Sequence, residues 1–286
     1  MLDGELKRAS DARASYFSQT MHYGISAFEG IRAYQTAEGP HLYQAEAHFS
    51  RLKYSSEVLG LRLPYTIDEM VRMSYQVLHE NQFLDAYIRP LVFGGTEMTL
   101  SPAAESHLLI AAWRWNPYYG DKLTRLRTST YRRPDPRTLH LDAKISGHYV
   151  NAVMATAEAK RFGFDDSLQI DCEGYIAQAS AANLFFEKDG KLFTPARGHI
   201  LPGITRQTVI EMSKELGIQL EEGCFTLDDL RSADACFLTG TAAEVAGVEA
   251  IDDQYFPMRW DESIGYMLAC RYRQLVAHPN LEKTII

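Results

Sequence analysis

The feature that most constrains the fold is a series of short apolar segments between residues 167 and 195, separated by turn residues. Segments 167–171, 175–187 and 191–195 have the length and composition of β-strands. Glu187-Lys-Asp-Gly190 supplies turn residues between the last two segments, which predicts a β-hairpin. Because strands joined in this way pair antiparallel, we expect this part of the chain to form a sheet.

Helix signals alternate with strand signals in the rest of the chain. Residues 48–59 have helical spacing, with Gly60 as a stop just past the end. Thr66-Ile-Asp-Glu69 has the capping-box pattern that begins a second helix. Residues 86–93 and 106–113 are strand candidates. The mixture predicts an α/β protein.

The chain of 286 residues is long enough for one large or two ordinary domains. Between Asn116 and about Arg137 it turns polar and carries Tyr-Tyr-Gly and Arg-Arg-Pro-Asp-Pro, which is typical of a connection. We therefore expect a small N-terminal α/β domain at residues 1–119, an interdomain connection at 120–128 and a larger C-terminal α/β domain at 129–286.

Charge and composition narrow the class of protein. The net charge of −8 argues against a nucleic acid or an anionic membrane as partner. The N-terminus is polar and no run of eighteen apolar residues occurs, so we expect a cytoplasmic protein. The cysteines lack disulfide or metal-ligand spacing, which predicts free thiols and no metal site; they are Cys172, Cys224, Cys236 and Cys270.

Lys144 stands in a short loop, residues 142–151, that leads into a helix. Apolar residues follow at roughly helical spacing and predict a half-buried helix; they are Val150, Val153, Met154, Ala157 and Phe162. A lysine held against an apolar surface can lose its proton and attack a carbonyl carbon. The alternative is a solvated surface charge.

Two turns carry the donors that bind phosphate or carboxylate. Leu201-Pro-Gly-Ile-Thr205-Arg206 leads into a helix, and the free N–H groups at a helix start form a phosphate cradle. Thr239-Gly-Thr241-Ala-Ala-Glu244 follows a predicted strand and exposes N–H donors and a hydroxyl. Each segment can also be an ordinary turn.

Two arginines are candidates for binding an anion. Arg51 lies on the predicted helix at 48–59, where a solvated charge is the alternative. Tyr87 and Arg89 alternate on an otherwise apolar strand, so both side chains lie on one face. An arginine among apolar neighbours needs an anionic partner, which is either a ligand or an internal carboxylate.

Together these elements meet the chemical requirements of one kind of enzyme. A lysine that forms a Schiff base, two phosphate cradles and an arginine for a carboxylate are what a pyridoxal phosphate (PLP) enzyme acting on amino acids requires.

In their order and amino-acid sequence, the segments resemble those of the class IV (fold type IV) PLP-dependent aminotransferases, specifically the branched-chain amino acid aminotransferases. The resemblance runs in family order from about residue 20 to 250, and implies a two-domain α/β fold type IV enzyme. The matching segments are 22–34, 48–52, 87–90, 115–120, 144–151, 181–185, 201–206 and 239–244.

The resemblance implies a set of cofactor contacts. Lys144 would form the Schiff base with PLP and carry the proton between the substrate Cα and the cofactor C4′. Tyr149 would hydrogen-bond the phenolic oxygen of the cofactor. The phosphate would be held by Arg51, Ile204, Thr205 and Thr241.

The resemblance also implies how substrates bind. Tyr87 and the amides of Thr241 and Ala242 would bind the α-carboxylate. The walls of the side-chain pocket would be Tyr23, Phe28, Trp115 and Tyr118. Tyr23, Arg89 and Tyr118 would hold the distal carboxylate of glutamate. Their presence favours amino transfer between a branched-chain L-amino acid and 2-oxoglutarate over the D-amino acid aminotransferase, aminodeoxychorismate lyase and amine transaminase types.

Family members are at least homodimers, so a homodimer or larger oligomer is expected.

One position departs from the family pattern. A glutamate that pairs with the pyridine nitrogen of PLP is replaced here by Gln178, and the usual following glycine by Ala179. Glutamine is neutral and favours a protonated ring nitrogen less than a carboxylate does. The substitution leaves open a slower or tuned aminotransferase, a changed class IV reaction, or a PLP-binding protein with little activity.

Overall fold

The computed structural model describes residues 1–115, 119 and 122–278, and the chain divides into two compact units. The first comprises Met1–Trp115 and Ala143–Tyr149, and the second comprises Asn116–Asp142 and Val150–Ile286. The predicted connection at 120–128 differs from this division, because it contains the strand Thr124–Thr128. Ala143–Tyr149, the Lys144 loop, is also assigned differently. It belongs to the first unit because its backbone pairs there, through a bridge between Ala27 and Ile145.

The first unit is built on an antiparallel sheet. Its elements in chain order are α1 (Gln19–Tyr23), β1 (Ser26–Phe28), β2 (Ile31–Thr36), β3 (Gly39–Leu42), α2 (Ala45–Val58), α3 (Ile67–Glu80), β4 (Ala86–Gly94) and β5 (Ser106–Trp113). β5 pairs along one edge of β4. β1 and β2 share the other edge of β4, and β3 pairs with β2.

The helices of the first unit confirm the local sequence signals. Thr66 Oγ1 accepts the Glu69 N–H and Glu69 Oε2 accepts the Thr66 N–H, so the capping box of α3 forms. α2 starts three residues before the predicted start, ends at Val58, and is followed by Gly60 with a φ of 67°. α2, α3 and the sheet enclose one apolar core, which includes Phe49, Leu52, Met70, Leu78 and Ile88.

The second unit contains a larger mixed sheet. Its elements in chain order are β6 (Thr124–Thr128), α4 (Tyr149–Arg161), β7 (Asp166–Ile170), β8 (Ile176–Ala179), β9 (Asn183–Lys188), β10 (Lys191–Pro195), α5 (Ile204–Glu215), β11 (Leu220–Gly223), α6 (Leu227–Arg231), β12 (Ala235–Gly240), β13 (Glu244–Ile251), β14 (Gln254–Tyr255) and α7 (Ile264–Ala277). The strand order is β11-β10-β9-β12-β13-β6-β7-β8, with β14 beside β13. β8 also pairs with β9, so a closed ring of strands forms in the order β9, β12, β13, β6, β7 and β8.

The predicted hairpin is present between β9 and β10. Asp189 and Gly190 both have positive φ, at 50° and 71°, as the favoured two-residue turn requires. The segment expected as one strand at 175–187 is instead two strands, β8 and β9. The chain turns between them, where the Ala179 N–H donates to the Ala182 carbonyl.

The buried face of α4 differs from the prediction. Its buried residues are Ala152, Ala155 and Ala159. The larger apolar side chains of this stretch are exposed instead, and these are Val150, Val153, Met154 and Phe162. Small alanines allow close packing, so apolar spacing alone selected the wrong side of this helix. None of the helices in the described part of the chain is long and apolar enough to span a membrane.

Candidate active site

The Lys144 loop is held within the first unit by its own backbone. The Lys144 N–H donates to Ser55 Oγ of α2 at 2.9 Å, and the Lys144 carbonyl accepts the Phe28 N–H of β1 at 3.1 Å. The Gly147 N–H donates to the Gly24 carbonyl at 3.0 Å. Gly24 has a φ of +70°, and a Cβ there would lie 3.0 Å from Gly147 Cα, so this approach requires glycine.

The Lys144 side chain is half-buried between two aromatic rings. Its Nζ donates to Tyr149 Oη at 2.6 Å. Nζ lies 5.0 Å from the centre of the Phe28 ring and 5.1 Å from that of Tyr149. The two rings meet edge to face with their centres 4.8 Å apart. Lys144 is therefore not a solvated surface charge, because both its backbone and its amine have fixed partners.

Arg51 is enclosed and paired with a carboxylate. Its side chain is 13% exposed, and it contacts Glu29, whose side chain is fully buried. Arg51 Nε donates to Glu29 Oε1 at 2.6 Å, and Nη2 donates to Oε2 at 3.0 Å. His48 Nδ1 lies 2.8 Å from the same Oε2. The guanidinium is thus held in one orientation by a forked contact.

Electrostatics explain why this buried cluster is stable. Burial alone would raise the pKa of Glu29, but the charge of Arg51 and the hydrogen bonds from Arg51 and His48 hold that pKa below its usual range. Burial lowers the pKa of His48, so its imidazole is neutral at neutral pH and donates its Nδ1 proton to Glu29. The charge that balances Glu29 is therefore that of Arg51.

Glu29→Gln is expected to lower the free energy of unfolding by about 3–5 kcal/mol at neutral pH, because Arg51 would keep a buried charge without a counter-charge. The folded-state pKa of Glu29 is depressed, so its ionisation stabilises the fold fully above the unfolded pKa of about 4.3. That contribution is lost as pH falls toward the folded pKa. The difference from wild type should therefore shrink in acid.

Urea unfolding at neutral pH and at about pH 3 measures this difference. Glu57→Gln, an exposed change on α2, is the matched control and should alter the free energy of unfolding by no more than about 0.5 kcal/mol. Equal stability of Glu29→Gln and wild type at neutral pH would contradict the role given to the pair.

Tyr87 and Arg89 lie on one face of β4, and Arg89 Nη2 donates to Tyr87 Oη at 3.2 Å. The Arg89 guanidinium carbon lies 4.7 Å from the ring centre of Phe28, 5.4 Å from Tyr87 and 5.9 Å from Trp113. Its Nε is buried without a hydrogen-bond partner, and no described carboxylate forms an ion pair with it. The internal carboxylate that the sequence left open is not found among these residues, which favours an anionic ligand.

The other predicted pocket residues of the first unit are partly placed. Tyr23 ends α1, is 46% exposed, and its hydroxyl donates to the Met98 carbonyl at 3.3 Å. Trp115 stacks on Tyr87 with ring centres 5.1 Å apart, and its indole Nε1 is buried without a partner. Tyr118 lies outside the described residues.

In the second unit, α5 starts at Ile204 with the features of an anion cradle. Its N-cap is Gly203, so no side chain caps the helix, and no acidic residue stands in the first turn. Thr205 is buried within that turn. The first N–H groups of a helix have no acceptor within it, and they carry partial positive charge. An uncapped start of this kind suits a phosphate better than an ordinary turn does.

The turn between β12 and β13 is short and carries one hydroxyl side chain. Gly240 pairs with Glu244, so residues 241–243, which include Thr241 and Ala242, form the connection. Thr239 Oγ1, just before the turn, is buried and has no hydrogen-bond partner. A buried hydroxyl without a partner is uncommon in a folded protein, and here it is consistent with a polar ligand.

Gln178 is buried in β8, opposite Gln169 of β7 and Asn183 of β9. The Leu201 N–H donates to Gln178 Oε1 at 2.9 Å. The position that the resemblance assigns to the ring nitrogen of PLP therefore carries a neutral amide with one of its two polar atoms already bound.

Comparisons with known proteins identify the family. Residues 26–251 match the model of the class IV amino-transferase family. The branched-chain-amino-acid aminotransferase of Pseudomonas aeruginosa is 38% identical over 256 residues, which cover 87% of this chain and 83% of that protein. The branched-chain aminotransferase of Thermoproteus uzoniensis, solved with norvaline, has a TM-score of 0.93 and 33% identity, covering 97% of this chain and 94% of that one. The branched-chain amino acid aminotransferase of Thermobaculum terrenum, solved in its PLP form, has a TM-score of 0.89 and 26% identity, covering 96% and 92%.

The chain belongs to the class IV aminotransferases, the PLP-dependent transaminases of fold type IV. All three relatives named above are branched-chain amino acid aminotransferases, so the resemblance found in the sequence is confirmed.

Each unit, taken by itself, carries residues that fit PLP. The first unit brings together Lys144 and Tyr149, with Arg51 fixed by Glu29. The second unit offers the uncapped start of α5 and the unpartnered hydroxyl of Thr239.

Sequence reasoning missed Glu29, His48 and Ser55. An acid directly after the mostly apolar stretch 25–28 was the available signal for Glu29. His48 and Arg51, three residues apart on α2, were the signal for its partners, because residues at that spacing share a helix face. Ser55 gave no signal, because its hydrogen bond to Lys144 depends on tertiary structure.

Proposed function

We propose that the protein moves an amino group between a branched-chain L-amino acid and 2-oxoglutarate, with PLP bound to Lys144. The observation that carries the proposal is the Lys144 amine, half-buried and 2.6 Å from Tyr149 Oη, in a chain whose relatives are branched-chain amino acid aminotransferases. A lysine placed in this way is suited both to Schiff-base formation and to proton transfer.

PLP supplies an electrophilic carbon for the amine of the amino acid and an electron sink for its Cα. Lys144 would bind that carbon and Tyr149 would hydrogen-bond the phenolic oxygen. The phosphate would be held by Arg51, the N–H groups and hydroxyl of Ile204 and Thr205, and Thr241. Glu29 supports this assignment, because it fixes the guanidinium of Arg51 in one orientation.

Lys144 would be the acid–base group. Its Nζ would accept the proton lost from the substrate Cα and would donate a proton in the return step. Tyr149 Oη is within hydrogen-bond distance of Nζ and restrains its position. The Phe28 and Tyr149 rings restrict the amine further, which limits the loss of the proton to water.

Substrate carboxylates would be bound at two places. The α-carboxylate would be bound by the Tyr87 hydroxyl and the amides of Thr241 and Ala242. Arg89, with Tyr23 and Tyr118, would bind the distal carboxylate of glutamate. The aromatic rings around Arg89 offer an apolar surface to an aliphatic side chain when no carboxylate is present, which lets one pocket accept both kinds of substrate.

A half-reaction experiment tests the proposal. PLP-loaded protein is mixed separately with L-leucine, L-valine, L-isoleucine, L-glutamate and D-alanine, and the spectral change from aldehyde to amine form of the cofactor is followed. Conversion by the branched-chain L-amino acids and by L-glutamate is expected. Conversion by D-alanine alone would indicate a D-amino acid aminotransferase, and failure with all five would reject the assignment.

We further propose that the protein works as a homodimer or larger homo-oligomer. Val150, Val153 and Met154 of α4, with Phe162 directly after the helix, are exposed apolar side chains, and an exposed apolar surface marks a contact with another chain. A second copy is the expected occupant, since family members are homodimers. We also propose a cytoplasmic location, which suits the four free thiols.

Val153→Glu is expected to shift the protein from oligomer to monomer, because a charge would have to be buried in an apolar contact. Analytical ultracentrifugation over a range of concentrations measures the effect. Gln219→Glu, which adds the same charge at an exposed position before β11, is the control and should leave the mass unchanged. An unchanged dissociation constant for Val153→Glu would show that this face of α4 is not the contact.

A further inference from the structure

We propose that Gln178 faces the ring nitrogen of PLP with its amide NH₂ group, so that the nitrogen accepts a hydrogen bond and stays unprotonated. The inference rests on the proposed function, in which the protein binds PLP, and on the family resemblance, which assigns the position of Gln178 to the ring nitrogen. The inference goes beyond the proposed function, because it assigns the protonation state of the ring nitrogen. The sequence alone leaves that state open, since a glutamine can either accept from a protonated nitrogen or donate to an unprotonated one.

The orientation of the Gln178 amide follows from its backbone partner. The Leu201 N–H lies 2.9 Å from one polar atom of the side chain. A backbone N–H can only donate, so the atom that faces it is the carbonyl oxygen Oε1. Nε2 is the remaining polar atom of Gln178, and it carries two protons and no acceptor site. Turning the amide over would set two donors against each other and leave the Leu201 N–H without an acceptor.

Leu201 is itself fixed, so the orientation does not depend on a mobile segment. Asn183 Nδ2 donates to the Leu201 carbonyl at 2.9 Å, and Asn183 is the cross-strand partner of Gln178. A Cβ on Gly203 would overlap the Asn183 side chain, so the segment from Leu201 to α5 lies directly against Asn183. Both peptide groups of Leu201 are therefore anchored to β8 and β9.

The strands around Gln178 supply a neutral surrounding. Gln169, opposite on β7, is completely buried, and its Nε2 donates to Asn151 Oδ1 at 2.6 Å. The Asn151 Nδ2 in turn donates to the Arg132 carbonyl at 2.9 Å, which fixes that amide as well. Asp171, which directly follows β7, accepts the N–H groups of Glu173 and Tyr175, both at 2.9 Å. Among the described residues, no carboxylate forms a hydrogen bond with the Gln178 side chain.

A donor at the ring nitrogen has a chemical consequence. The amide NH₂ group can donate a hydrogen bond to the lone pair of an unprotonated ring nitrogen. A protonated ring nitrogen is itself a donor, so its proton would face the amide protons and find no acceptor. The ring therefore withdraws less electron density from the substrate Cα than a protonated ring does. The Cα proton that Lys144 would remove is therefore less acidic. Gln178 acts as a positioning residue, because its amide decides how strongly the cofactor ring withdraws electrons.

The test uses PLP labelled with ¹⁵N in its ring and bound to wild-type protein. Borohydride reduction followed by peptide mass analysis first shows whether Lys144 carries the cofactor. The ¹⁵N chemical shift of the unreduced protein is then expected in the range of an unprotonated pyridine, and in Gln178→Glu in the range of a pyridinium. The proton-transfer half-reaction with L-leucine should be faster in Gln178→Glu by about 10²-fold.

The outcomes separate the inference from the proposed function. No adduct on Lys144 would overturn both. An adduct with a pyridinium shift in the wild type would overturn the inference alone. Gln169→Leu is the matched control, because it removes the neighbouring amide and leaves the contact of Gln178 with Leu201. Its shift should remain that of an unprotonated ring, and a change to pyridinium would assign the effect to Gln169 instead.

Discussion

Lys144→Ala is expected to abolish the Schiff base between the protein and PLP and to slow amino transfer by about 10⁴-fold or more. The variant loses both the amine that binds the cofactor carbon and the group that moves the Cα proton. Absorption of the PLP-loaded protein measures the first loss, and the half-reaction with L-leucine measures the second. Retained absorption of a lysine-bound Schiff base would place the cofactor on another lysine.

The variant should fold normally, because the contacts of Lys144 with α2 and β1 are made by its backbone. The N–H to Ser55 and the carbonyl to Phe28 remain in alanine. Circular dichroism and thermal unfolding therefore separate a chemical effect from a structural one. Lys214→Ala, at an exposed position near the end of α5, is the control and should retain both the Schiff base and the activity.

Local signals in the sequence predict the elements of this fold well. The capping box at Thr66 and Glu69 begins α3, and the turn at Asp189 and Gly190 joins β9 to β10. In both cases a few adjacent residues determine the backbone by their own hydrogen bonds or dihedral preferences. Because such signals do not depend on distant residues, they can be read from the chain directly.

Features that depend on distant residues were not predictable in the same way. α4 buries Ala152, Ala155 and Ala159 and exposes Val153, so its buried side is decided by packing against the rest of the fold. The sequence groups the Lys144 loop with the C-terminal segments, whereas its pairing with β1 joins residues more than a hundred positions apart. Apolar spacing carries no information on either point.

In the candidate site, the sequence predicts the functional residues but not the side chains that contact them. Residue types and family order select Lys144, Arg51 and Arg89, and the structure then supplies their partners. Glu29 fixes Arg51, whereas Arg89 has aromatic neighbours and no described carboxylate. This contrast separates an arginine that an internal carboxylate already orients from one that forms no ion pair with any described carboxylate.

Arg89→Met is expected to lower kcat/KM for glutamate and 2-oxoglutarate by about 10²-fold, with a much smaller change for leucine. Methionine retains an apolar side chain of similar length against Phe28 and Trp113, so the aliphatic surface of the pocket is preserved. A carboxylate placed there would lose its only described cationic partner on β4. Separate measurement of the two half-reactions shows whether the loss is selective.

Arg32→Met is the matched control, since Arg32 lies opposite Tyr87 in the same sheet and already pairs with Asp85 at 2.9 Å. Its replacement should affect stability without changing the preference between glutamate and leucine. Equal losses for leucine and glutamate in Arg89→Met would mean that Arg89 supports the pocket as a whole. A loss confined to glutamate would show that one arginine without a carboxylate partner lets an otherwise apolar pocket accept the second substrate of the ping-pong cycle.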